Sequence, residues 1–181
     1  GQSVSYMNRL GTKPLGYLED HRVFGQVVVP GMGLLEMAYA AGMDIFPGAG
    51  ERLKVCDVII ERPLVLSDGV EVEVQLRASH VDGGEEAKFE IFSRFIAGTE
   101  QRAWSLHASG KLRVDGQQEQ DRRRLDIEEL KAQCSESVNV AEVYDKELSR
   151  GLAYGPAFQG MVELWGGEGQ SIGRVRRPKV L

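Results

Sequence analysis

Residues 70–78, Val70-Glu71-Val72-Glu73-Val74-Gln75-Leu76-Arg77-Ala78, alternate apolar and polar side chains almost without interruption. A strand turns successive side chains to opposite faces, so this run reads as a β-strand with one face buried and the other wet. Three further segments have strand character: Leu53 to Leu66, Ala87 to Ala97 and Ala103 to Val114. The strand that begins with the alternating run extends to His80. Between the segments stand Ser67-Asp68-Gly69, Asp82-Gly83-Gly84 and Gly98-Thr99-Glu100, residues suited to reversing an antiparallel chain. The pattern predicts a meander of long strands.

Upstream, Pro30 to Met43 places Leu34, Met37, Ala38 and Ala41 at helical spacing. Pro30 or its neighbour suits the first turn, where a missing N–H costs nothing, and Gly33, Ala38, Ala40 and Ala41 permit close packing on a sheet. The Gly42 to Gly50 stretch, with Pro47, is expected to end the helix. Residues 1–114 thus predict an α+β unit in which antiparallel strands surround one helix. Residues 115–138, charged and Gln-rich at first, read as a linker with helical character over Ile127 to Cys134. Residues 139–181 then predict a helix over Val140 to Arg150, with Val140, Val143, Tyr144 and Leu148 on one stripe. Paired strands follow over Met161 to Trp165 and Ser171 to Val175. About two strands fall short of an ordinary sheet, so this second unit is expected to be incomplete.

Composition narrows the function. The 181 residues are 42% hydrophobic and 27% charged, which excludes a disordered chain. Apolar runs of a few residues, such as Val27 to Pro30 and Val58 to Ile60, are far shorter than the ~20 a membrane helix needs. Cys56 and Cys134 have no CxxC partner and predict neither a disulfide framework nor a zinc ribbon, which fits a reducing cytoplasm. A net charge of −5 argues against nucleic acid. Two basic runs stand out, Arg122-Arg123-Arg124 and the acid-free Ile172 to Leu181 with Arg174, Arg176, Arg177 and Lys179. No HExxH or P-loop is present, and Gly166-Gly167-Glu168-Gly169 reads as a strand-to-strand turn, so neither metal nor nucleotide cofactor is expected.

Chemistry concentrates in two motifs. His21-Arg22-Val23-Phe24-Gly25-Gln26-Val27-Val28-Val29-Pro30 reads H-x-x-x-G-x-x-x-x-P and leads into Gly31 and the helix. Near the other end stands Gly151-Leu152-Ala153-Tyr154-Gly155-Pro156-Ala157-Phe158-Gln159-Gly160. The first resembles the active-site motif of dehydratase domains of modular polyketide synthases, as do the flanking Tyr17-Leu18-Glu19-Asp20-His21 and Gly31 to Met37. The second resembles the G-Y-x-Y-G-P-x-F element of the same family, with Leu152 in place of its first tyrosine.

The resemblance implies a double hot-dog fold, each half an antiparallel sheet wrapped around a central helix. Residues 1–114 would be the first half and 139–181 the start of the second. It also implies elimination of water from a 3-hydroxyacyl thioester, carried on the phosphopantetheine arm of an acyl carrier protein, to give an α,β-unsaturated acyl product. His21 would be the base, since an imidazole of ordinary pKa ~6.5 can accept a proton at neutral pH. Phe24, Val27 and Met32 are expected to line its cleft. Gly25, Pro30 and Gly31 would bind substrate, with the Gly31 N–H at a helix N-terminus stabilising the enolate-like oxygen. Tyr154, Gly155, Pro156 and Phe158 would line the cleft or form a structural turn. His80 and His107, on or beside strands without comparable context, read as structural.

The family's acid is an aspartate in a D-x-x-x-Q or D-x-x-x-H element. Asp121, Asp126 and Asp145 do not reproduce that spacing. The simplest expectation is that the acid lies beyond residue 181. Two alternatives remain open at this point: double-bond isomerisation or oxa-cyclisation on the same fold, and a catalytically silent acyl-binding module. Neighbouring synthase domains are implied partners, the basic runs are candidates for docking the acidic carrier protein, and an exposed sheet edge favours a homodimer.

Overall fold

The structure, a computed structural model, describes residues 3–67, 69–81, 84–97, 100–101, 103–116 and 125–178. In chain order the strands are β1 (Ser3–Leu10), β2 (His21–Val23), β3 (Gln26–Val28), β4 (Leu53–Ile60), β5 (Val65–Leu66), β6 (Val72–His80), β7 (Glu86–Ala97), β8 (Glu100–Gln101) and β9 (Ser105–Val114). They continue with β10 (Glu136–Ser137), β11 (Leu152–Tyr154), β12 (Met161–Gly167) and β13 (Gln170–Val175). The helices are α1 (Gly31–Ile45), α2 (Ile127–Gln133) and α3 (Val140–Ser149). The chain divides into two compact units, one of residues Gly1–Leu15 with Val28–Gln118 and the other of Gly16–Val27 with Glu119–Leu181. Contacts therefore assign residues 16–27, which precede the helix in the chain, to the second unit.

The first unit has the hot-dog arrangement. Its antiparallel sheet runs β1-β6-β7-β9-β4, and α1 packs on β4, β6 and β9. In β6, Val72, Val74, Leu76 and Ala78 are buried while Arg77 and Ser79 are exposed, so the sequence alternation becomes the two faces of the sheet. The expected helical stripe is also found: Leu34, Ala38 and Ala41 are buried, and Met37 is half-buried. Phe89, Ile91, Leu112 and Val72 complete a core against the helix, each shielded side chain contributing about 1.5–3 kcal/mol.

Two features depart from the sequence reading. The helix continues through Gly42 to Ile45. Gly42 is there for packing, because a Cβ would stand 2.9 Å from a Leu53 methyl and 3.2 Å from a Leu112 methyl. The expected strand over Leu53 to Leu66 is broken into β4 and β5, with Pro63 in the gap, where its missing N–H cannot join a ladder. Asp68, Asp82, Gly83, Gly98 and Thr99 of the expected turns lie outside the described residues.

The other two histidines sit in this unit. His107 is buried: its Nδ1 donates to the Arg62 carbonyl at 3.2 Å, and Ser93 Oγ lies 2.7 Å from Nε2. Because a carbonyl can only accept, Nδ1 carries the proton and Nε2 receives the Ser93 hydroxyl. His80 packs edge-on against Phe46 at 5.5 Å.

The second unit is built from small sheets. β11-β2-β3 form one antiparallel set and β10-β12-β13 another. The turn between β12 and β13 is Glu168-Gly169, with Gly166 and Gly167 inside the strand. Within the expected linker 115–138, α2 forms with Asp126 as its N-cap, the carboxylate accepting from Glu128 N and Glu129 N. Asn139 caps α3 in the same way through Ala141 N.

Candidate functional site

His21, Gly25, Tyr154, Gly155, Pro156 and Phe158 fall in the second unit, whereas Pro30 and Gly31 belong to the first. In the second unit, His21 opens β2. That strand reverses into β3 through Phe24-Gly25, with Val23 paired to Gln26. Both turn residues have positive φ, 47° at Phe24 and 80° at Gly25, the backbone of a two-residue type I′ hairpin. This gives Gly25 a conformational reason that sequence reading did not supply; a Cβ there would meet nothing within 4 Å. Arg22 braces the hairpin, its guanidinium donating to the Glu19 and Gly25 carbonyls at 3.1 Å.

On its other edge β2 pairs with β11. Leu152 stands opposite Val23, Ala153 opposite Arg22 and Tyr154 opposite His21. Phe24 N donates to the Gly151 carbonyl at 2.7 Å. Gly151 has φ of 88°, and any Cβ there would run into the Phe24 ring. The two motifs, remote in the chain, are thus one sheet.

Beyond β11 the chain turns through Gly155-Pro156-Ala157-Phe158, closed by Phe158 N donating to the Gly155 carbonyl at 2.9 Å. Asp20 grips this turn twice. Its carbonyl accepts from Gly155 N at 2.7 Å and its carboxylate Oδ2 from Ala157 N at 2.8 Å. The turn delivers Phe158 to one side of the His21 imidazole, at 5.1 Å between ring centroids, while Tyr154 stands at 5.5 Å. Tyr17 extends the row beside Phe158, and Tyr144 beside Tyr154, each at 6.4 Å. Tyr144 also accepts from Met161 N through its hydroxyl at 3.1 Å.

The half-buried imidazole is therefore flanked by rings, a setting that limits water around a group able to move a proton. These two rings, Tyr154 and Phe158, belong to the second motif. Of the residues expected to line a cleft, Val27 is buried, Phe24 is 80% exposed on the hairpin tip and Met32 is 72% exposed on α1. Sequence reading gave Tyr17 and Asp20 only as neighbours of His21 in the first motif and Tyr144 only as a member of the α3 stripe, and singled out none of them for the site.

Pro30 and Gly31 open α1. Pro30 is the N-cap, its carbonyl accepting from Gly33 N at 2.8 Å. Gly31 leaves room for Ile60, whose Cδ1 would be 3.2 Å from an added Cβ. Of the aspartates considered for the acid, Asp126 is engaged as the α2 cap, Asp145 is exposed on α3, and Asp121 lies outside the described residues. Arg122-Arg123-Arg124 and Lys179 lie outside them too; Arg176 and Arg177 are exposed, and Arg174 pairs with Glu163. Among the described residues, no group of three or more His, Cys, Asp or Glu could hold a metal ion, and no helix is long and apolar enough to cross a membrane.

Comparison with known proteins bears on this arrangement. A family profile described as polyketide synthase dehydratase domain matches residues 1–94, and one described as polyketide synthase dehydratase N-terminal domain matches residues 122–181. Polyketide synthase GfsE of Streptomyces halstedii is 32% identical over 174 residues, covering 96% of this chain and 4% of that protein. The phenolphthiocerol synthesis polyketide synthase type I Pks15/1 of Mycobacterium bovis is 32% identical over 162 residues, covering 90% and 7%. These relatives are large synthases of which the chain spans less than a tenth.

Among solved structures, the dehydratase domain from the CurF module of curacin polyketide synthase superposes with a TM-score of 0.88 at 34% identity, covering 100% of this chain and 63% of that one. A CurK dehydratase with a His→Phe substitution, named an inactive mutant, gives 0.89 at 32% identity, covering 99% and 62%. The chain spans about three fifths of these solved domains. Its sheet-wrapped helix, its two joined motifs and its match over residues 1–94 agree, and the chain belongs to the polyketide synthase dehydratase domain family.

Proposed function

We propose that the protein takes part in eliminating water from a 3-hydroxyacyl thioester held on an acyl carrier protein, with His21 as the base. The observation that carries this reading is the seating of His21 on β2, opposite Tyr154 and flanked by the Phe158 ring. In this reaction the imidazole takes the α-proton, the electron pair forms the α,β double bond, and the β-hydroxyl departs as water after receiving a proton from an acid. The proposal assigns no residue of this chain to that acid. The CurK dehydratase is named inactive both in its His→Phe and in its Asp→Asn form, which supports a two-residue division of labour.

In the same reading, Gly31 N–H, one of the first-turn donors that a helix leaves without an internal acceptor, polarises the thioester oxygen. Tyr154 and Phe158 hold the imidazole, and the Gly155-Pro156 turn keeps them there. The acyl group arrives on a phosphopantetheine arm and no further cofactor is required. The exposed Arg176 and Arg177 meet the acidic carrier protein, so reversing their charge is expected to raise KM at low salt.

The test is mass spectrometry of a 3-hydroxyacyl carrier protein incubated with a protein that extends this chain beyond residue 181 and with the His21→Ala variant of that longer protein. Loss of water with the first and not the second is the expected result. Equal loss with both removes His21 from the reaction. A substrate that binds and stays intact overturns the reading in favour of a silent acyl-binding module, and a shifted double bond or cyclic ether in favour of the isomerase or cyclase.

A further inference from the structure

We infer that Asp20 is a positioning residue for His21, acting through the Gly155–Phe158 turn; this rests on the proposed role of His21 as base. Strand pairing alone sets His21 opposite Tyr154, because β2 and β11 share their ladder. Nothing in that ladder decides where Phe158 stands, since Phe158 follows the turn. Two donors of the turn, Gly155 N and Ala157 N, converge on Asp20, one on its carbonyl and one on its carboxylate. The carboxylate bond is charge-assisted and so stronger than an ordinary backbone pair.

Gly155 completes the device. A Cβ at this position would run into the Asp20 carboxylate, so the glycine is what allows the carboxylate to reach past it to Ala157 N. Ala157 is buried and Gln159 Nε2 donates back to the Tyr154 carbonyl at 2.7 Å, which ties the far end of the turn to β11. The residue that precedes the imidazole in the chain therefore sets the ring that flanks it in space. Without the carboxylate, β2 and β11 still pair and Tyr154 keeps its place, but Phe158 loses its anchor. A displacement of about 1 Å near reacting groups costs on the order of 10²-fold in rate, so the effect belongs in kcat with KM little changed.

The experiment compares Asp20→Ala and Asp20→Asn in the 181-residue chain by NMR, reading the cross-relaxation between the ring protons of His21 and Phe158 beside that between His21 and Tyr154. Loss of water is measured in parallel in the same variants of a protein that extends this chain beyond residue 181. Asp20→Ala is expected to lose the Phe158 signal, keep the Tyr154 signal and lower kcat by about 10²-fold. Asp20→Asn, whose side-chain oxygen can still accept from Ala157 N, is expected to keep both signals and most of the rate. An unchanged Phe158 signal in Asp20→Ala, or equal damage in both variants, overturns the inference. Where Asp20→Ala fails to fold, Gly155→Ala is compared with and without Asp20→Gly: relief of the first by the second supports the device, and independent losses refute it. If the unaltered longer protein releases no water, the dehydratase reading falls while the ring signals still decide the positioning.

Discussion

The two units hold themselves together by different means. The first buries large side chains between a long sheet and α1, with Phe89, Leu34, Leu64, Ile91, Leu112 and Val72 all nearly inaccessible. In the second, the buried apolar residues among those described are Leu18, Val27, Cys134 and Ala157. Its aromatic rings are half-buried at Tyr144, Tyr154, Phe158 and Trp165 and exposed at Tyr17 and Phe24, and its geometry depends on paired backbone, a type I′ turn and the Asp20 clamp. Stability is thus concentrated in the unit that does not carry His21, and the imidazole sits in a region defined by directional bonds. Hydrogen bonds contribute less net stability than buried apolar surface but specify position more narrowly.

The sharpest way to break this comparison is to truncate one aromatic residue in each unit. Phe89→Ala is expected to cost about 3–5 kcal/mol, measured by urea denaturation. Half-buried Phe158→Ala is expected to cost no more than about 2 kcal/mol; equal losses would end the distinction. Gly151→Ala tests the reliance of the second unit on backbone geometry. With φ at 88° and the Phe24 ring in the way, a loss of about 1–2 kcal/mol is expected, and hydrogen exchange should rise at the Phe24 amide while the amides of β6 and β7 stay protected.

A smaller loss, about 1 kcal/mol, is expected for Asp126→Ala, which removes the α2 cap. Its signature is loss of helical NMR shifts over residues 127–133 with the first unit unchanged.

The pH responses are finer probes of the first unit. Burial pushes the His107 imidazole below its ordinary value, more than the Arg62 carbonyl raises it. The unfolded chain takes up this proton near ~6.5 while the folded chain resists it, so the unfolded state binds more protons once pH drops below that value. Stability is then lost as pH falls from ~6.5 toward the lower folded value. Urea midpoints at successive pH values should show this slope, and His107→Asn should reduce it. The least perturbing test is spectroscopic. Desolvation, with the hydrogen bond to Asp44 and that group's charge, pushes the Tyr6 phenol up to about 12. An ultraviolet titration should show a late tyrosinate step that Tyr6→Phe removes.

Much of the first unit was readable because local pattern and final burial coincide there. The alternation from Val70 and the Leu34-Ala38-Ala41 stripe state which faces turn inward, and both are buried as read. Gly42 misled because glycine signals a helix end far more often than a contact point; its meaning lies in Leu53 and Leu112, which no local window contains. The hairpins at the other end were legible for the same local reason, as β12 and β13 show.

The site was legible only as a resemblance. Nothing between His21 and Tyr154 states that the two strands pair, and residues 16–27 give no local sign that they leave the preceding strand to join the second unit. Phe24 and Met32 are apolar, yet hairpin geometry and helix register leave both exposed, which their sequence context does not announce. Asp20 was legible only as part of the motif around His21, because an aspartate beside a histidine is ordinary until its partner, an amide far along the chain, is known.

That partner has a consequence for when the protein becomes competent during synthesis. Asp20 and Ala157 are 137 positions apart, whereas β6, β7 and β9 meet through near neighbours. At the usual translation speed of 5–20 residues per second, His21 waits roughly 7–27 s for the residues that flank it. During that interval one edge of β2 awaits β11, and the first unit can already have closed around α1. The contact order of the site exceeds that of the β6-β7-β9 ladder, so assembly of the imidazole's surroundings is expected to be the late, slow event in folding.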